Sequence, residues 1–183
     1  ALVDYINDTI EQGDQRDQFR RVIRYLKRWK QIKFNPSGHE EPASIGITLI
    51  VLDHFDYQEN DDLQALINAV GSIRNQFVLN KLADDGSWMY KISYSMPSSL
   101  RFEPGNNLFE KMSDVQMNSF KQKIDKLTSD LKSVKDEPDE IEQCKKLQKI
   151  FGSDFEVPEK AEVSKQQKYT HIPRTSSSGA VEQ

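Results

Sequence analysis

A chain of 183 residues can bury one full core, and 36% hydrophobic against 30% charged residues is the profile of an ordinary soluble domain. The formal charge of −4 excludes a general nucleic-acid-binding surface, which needs a basic domain, so any anion site must be local. The single cysteine, Cys144, allows no internal disulfide and no multi-thiolate zinc site, which fits a reducing cytoplasm.

The longest apolar run, "IGITLIVL" at 45–52, is far too short to span a bilayer, and no signal peptide precedes it. The chain opens at Ala1 and enters helix-like sequence almost at once. A start without Met fits the C-terminal part of a longer protein, and N-terminal processing equally.

The first strong pattern is "FRRVIRYLKRWK". Phe19, Val22, Ile23, Leu26 and Trp29 recur at three and four, which predicts one apolar helical face. At about 100° per residue, Arg16, Arg20, Arg24, Lys27 and Arg28 are expected on the opposite side. Between Arg16 and Lys33 stand eight Lys or Arg residues against one acid, Asp17. "NPSGHEEP" at 35–42 then breaks the helix. A second helix is predicted from Pro42, a favoured first-turn residue, to about Phe55; apolar nearly all round, it should be the buried central helix.

A third helix is expected from Asp61 or Asp62, with Leu63, Leu66, Ile67, Val70, Ile73 and Phe77 in register. Two acids at its start suit the helix dipole. Residues 83–111 read as irregular, with one small hairpin near 86–96. A capping box, Ser113 with Gln116, opens a long helix whose seam is Met117, Phe120, Ile124, Leu127, Leu131 and Val134. After "DEPD", a last helix uses Ile141, Cys144, Leu147 and Phe151, and Gly152 ends it. The fold class is therefore all-α with one small hairpin: a helical body over residues 1–158 and a polar tail, 159–183, expected to be disordered alone.

Two places could carry chemistry. Lys and Arg side chains one turn apart on a rigid helix can grip a polyphosphate through charge-assisted hydrogen bonds; they can equally form a solvated face whose long stems cover apolar surface. Ser44, in the first turn of the buried helix, sits where unpaired N–H groups favour an anion, or it caps its own helix. His39, His54 and His171 lack metal-ligand spacing, and the Asp pairs at 61–62 and 84–85 read as a helix start and a turn. Trp29 and Trp88 read as packing residues. No nucleophile elbow, Walker loop or HExxH zinc motif is present.

"FRRVIRYLKRWK" followed by "PASIGITLIVLDHF", then "PGNNLFEKMSDVQMNSFKQKI" at 104–124 and "KKLQKIFGSDFEVPE" at 145–159, resembles the helical second domain of the cGAS/DncV-like nucleotidyltransferases of bacterial anti-phage signalling (CBASS). The likeness runs from about Arg16 to Pro158. It implies a helical bundle that closes the nucleotide cleft opposite a catalytic lobe, as in oligoadenylate synthase. It implies triphosphate binding by Lys27 and Ser44, with Arg24 and Arg20 as neighbours. The catalytic residues and the carboxylates for Mg2+ would lie in a preceding lobe that this chain lacks, so the chain alone should not turn over nucleoside triphosphates.

The resemblance also implies a possible partner related to ubiquitin-activating enzymes at the C-terminal residues, here Gly179, Ala180, Val181, Glu182 and Gln183. The family's acceptor ends are small residues, whereas this chain ends in Gln. Ile45 replaces the Tyr that stacks on a base in the animal enzymes, and a zinc thumb is absent. No membrane and no sequence-specific nucleic acid is expected as partner. Two alternatives stand beside this reading: a non-enzymatic helical interaction module, and an RNA-processing nucleotidyltransferase of the poly(A) polymerase kind, which would want a larger basic surface.

Overall fold

A computed structural model describes residues 2–35, 41–100 and 107–155. In chain order these form α1 (Leu2–Thr9), α2 (Asp14–Lys33), α3 (Ser44–Asp53), α4 (Asp62–Arg74), the strands β1 (Val78–Leu82) and β2 (Trp88–Lys91), a short 3-10 turn (Ser98–Leu100), α5 (Asp114–Asp136) and α6 (Glu140–Phe151). The all-α expectation with one small hairpin holds. The proposed tail, 159–183, lies outside the described residues, as do Gly179, Ala180, Val181, Glu182, Gln183, His39 and His171.

The apolar seams fall where their periods put them. Phe19, Val22, Ile23, Leu26 and Trp29 of α2 are all buried, and so is the α5 seam from Met117 to Val134. Every residue of α3 from Gly46 to Leu52 is buried, which makes it the central helix. Gly46 has a packing reason: a Cβ there would stand 2.6 and 2.7 Å from atoms of the Phe109 ring. That ring stacks on Phe120 at 6.3 Å between centroids, so α3 meets α5 through a glycine and two aromatic faces.

The helix ends follow the expected chemistry. Ser113 and Gln116 close a reciprocal capping box at α5, and Asp61 caps α4 by accepting from the Gln64 amide. Gly152 ends α6 at φ +102°, a left-handed backbone that a side chain would strain. The central helix opens at Ser44, two residues later than the Pro42 predicted, with Ala43 in the cap position.

Three expectations need correction. The hairpin spans 78–91 rather than 86–96, and Phe77 lies beyond α4, edge-on to Phe120 at 5.2 Å. The first strand escaped notice because Val78, Leu79 and Leu82 are each about half exposed, so no in–out alternation marks it. Trp88, expected to pack, is 54% exposed at the end of β2 opposite Leu82. The turn between the strands does read as expected: Asp85 Oδ1 accepts from the Ser87 amide at 2.9 Å, and Gly86 takes φ +81°. Lys81 and Asn80 hold Asp114 at 2.5 and 3.0 Å, which pins the hairpin to the start of α5.

Candidate functional site

The eight cations of α2 divide by position on the helix. Arg16 does not stand on an open face: its guanidinium donates to the carbonyls of Asn7 at 2.6 Å and Ile10 at 2.7 Å, satisfying the orphan oxygens behind α1. Arg28 does the same at the far end, donating to the Phe151 carbonyl at 2.9 Å and pairing with Asp154 at 2.5 Å. These two were expected on the basic face, and both serve as helix-end ties instead. The reason is reach: each neighbours a helix terminus whose last carbonyls lack partners.

Arg21 forms a two-pronged pair with Asp62, 2.7 and 3.0 Å, and Gln18 donates to the same carboxylate at 3.1 Å. Asp62 is fully buried. The hydrogen bonds that Arg21 donates to Asp62 come first in pushing its pKa above its ordinary value. The Asp pair at the head of α4 therefore has two roles. Asp61 is the expected cap, while Asp62 is the buried half of an ion pair that joins α4 to α2.

What remains exposed is a stripe of Arg20, Arg24 and Lys27. Arg20 reaches Asn7 Oδ1 at 3.5 Å, whereas Arg24 and Lys27 have no hydrogen-bond or ion-pair partner among the described residues. Three of the four sequence-derived candidates thus share one face, and Lys27 also borders the fourth. Lys27, Lys30 and Ser44, with Thr48, Ile23, Leu26 and Ile47, line one small depression between α2 and α3.

Lys30 is the residue that the sequence reading missed. It is 7% exposed, and its ammonium donates to Ser44 Oγ at 2.6 Å and to the Pro42 carbonyl at 3.1 Å, with Glu41 Oε2 at 3.5 Å. Its place was readable: Ile23, Leu26 and Lys30 are spaced three and four apart, so Lys30 falls on the apolar face.

Ser44 is the first helical residue and does not cap α3; the cap position, Ala43, offers no side-chain bond. Because an ammonium only donates, Ser44 Oγ acts as acceptor toward Lys30, and its own hydroxyl proton has no acceptor among the described residues. The depression itself measures about 10 Å3, room for a water at most. A larger anion could only lie across its mouth, between the exposed Lys27 and the half-buried Ser44.

Compared with known proteins, the chain matches no protein-family model and no curated protein.

Proposed function

We propose that the chain is the helical, C-terminal part of a nucleotidyltransferase that joins nucleoside triphosphates into cyclic or linear oligonucleotide second messengers in anti-phage defence. Its own share of the work is to hold the triphosphate and pack against the catalytic lobe. One observation carries the reading. Lys27 and Ser44, the residues named by the resemblance, border the same depression, and among the described residues neither an acceptor for the Ser44 proton nor a partner for Lys27 stands in the way.

In this reading Lys27 neutralises the outer phosphates, since its ammonium can swing and donate three hydrogen bonds. Ser44 donates its hydroxyl proton to one phosphate oxygen. Lys30 holds that hydroxyl in place and raises the local positive charge. Arg24, one turn before Lys27, meets the phosphate more loosely. Neither Lys27 nor Ser44 acts as a base. Positioning and fixed positive charge are where most catalysis of phosphoryl-type transfer comes from.

Among the described residues no group of three or more His, Cys, Asp or Glu side chains is placed to hold a metal. Magnesium would have to be held elsewhere, and no step here runs through it. A partner related to ubiquitin-activating enzymes at the C-terminal residues rests on the resemblance alone.

Titration calorimetry of the chain with ATP or GTP, with the bare nucleosides as controls, tests the proposal. Triphosphates should bind and nucleosides should not. Lys27→Ala should weaken binding about tenfold, the worth of one hydrogen bond to a charged group, while Lys27→Arg keeps most of it. Equal affinity of wild type and Lys27→Ala would overturn the reading and favour a helical interaction module.

A further inference from the structure

A second cationic site lies at the other end of α2. We propose that the cavity where the last turn of α2 meets α5 and α6 binds a compact soluble polyanion with two or more phosphate groups. The cavity measures about 200 Å3. Its lining brings together Lys33 of α2, Lys126, Asp130 and Ser133 of α5, and Lys146 and Lys149 of α6, with Ile150 at its edge. It shares no lining residue with the α2–α3 depression, so it stands or falls independently of the triphosphate reading.

Four ammonium groups meet here against two carboxylates, Asp130 in the lining and Glu137 beside Lys146, in a chain whose formal charge is −4. Lys126 pairs with Asp130 at 2.9 Å. Lys146 donates to Ser133 Oγ at 3.0 Å and pairs with Glu137 at 2.9 Å. Lys33 and Lys149 have no hydrogen-bond or ion-pair partner among the described residues. Both stand in the last turn of their helices, where the dipole favours a cation. The dipole does not explain why Lys126 and Lys146, from helix interiors, border the same space.

Lys33 and Lys149 bring unpaired like charges from two helices to one space, and these repel unless an anion sits between them. The Ser133 hydroxyl adds a donor or acceptor at the same wall. Drug-sized ligands need cavities of about 300 Å3 or more, so this one suits something smaller and highly charged. Lysine recognises phosphate as a point charge and asks for no planar match, which fits tetrahedral groups approached from several sides.

Amide chemical shifts of the 183-residue chain during titration with inorganic pyrophosphate test this. Saturable shifts are expected at Lys33, Ser133, Lys149 and Ile150. The double variant Lys33→Gln, Lys149→Gln, whose side chains are at least partly exposed and should leave the fold intact, should weaken binding about tenfold or more. Any shifts at Ser44 and Ile45 should be unchanged in that variant, which separates this site from the α2–α3 depression. A parallel titration with adenosine diphosphate shows whether an esterified diphosphate is also accepted, and tighter binding of either probe supports the site. The proposal is overturned if the four amides stay still, if sodium chloride or citrate at matched ionic strength moves them equally, or if the double variant binds like the parent.

Discussion

The ammonium of Lys30 donates to Ser44 Oγ and the Pro42 carbonyl and forms an ion pair with Glu41, at the junction of α2 with α3. Arg21 grips Asp62 with two of its five guanidinium N–H groups on the helix's other flank. Both are cations that composition alone would assign to solvent, and both bind helices together. The Arg21–Asp62 pair is the more consequential, because Asp62 is fully buried while Arg21 stays partly wet. Arg21→Met removes the cation and leaves a buried carboxylate, which should cost about 3 kcal/mol or more. Urea unfolding followed by circular dichroism measures it, with a lower midpoint at unchanged slope expected. A midpoint equal to wild type would mean that the pair adds nothing to stability.

At the level of elements, α3 can be central only because its exposed flank is small and Gly46 admits the Phe109 ring. Gly46→Ala forces a methyl to within 2.7 Å of a ring that is itself 1% exposed, so one of the two must move. Overpacking of this kind costs about 1–3 kcal/mol, although alanine is the better helix former. Thermal unfolding should show a lower melting temperature, with part of the loss recovered in the Gly46→Ala, Phe109→Leu double variant. A rise in stability would show that the ring has room. Helices α2 to α6 were legible in the sequence, because periods of three and four, the capping box at Ser113 and the stop at Gly152 are local signals. The hairpin was misplaced because its strands are half exposed, and exposure erases the alternation that marks a strand.

For the molecule as a whole, a net charge of −4 conceals two basic regions, one along α2 and one where α2, α5 and α6 meet. One is the stripe of Arg20, Arg24 and Lys27 beside the α2–α3 depression, and the other is the lysine cavity around Lys33 and Lys149. The sequence pointed to the first through the density of charge and the position of Ser44. It could not sort the row into free and engaged cations, since the partners of Arg16, Arg21 and Arg28 come from other elements, up to 126 residues away in the chain. Nor could it show the second region, which assembles from three helices. The central claim is that a triphosphate lies across the mouth of the α2–α3 depression, gripped by Lys27 and Ser44. A crystal structure of the chain with a non-hydrolysable nucleoside triphosphate tests it most directly. The account predicts phosphate oxygens within hydrogen-bond distance of both Lys27 Nζ and Ser44 Oγ, with Lys30 still donating to Ser44. A triphosphate bound elsewhere, with Lys27 left in solvent, would contradict it.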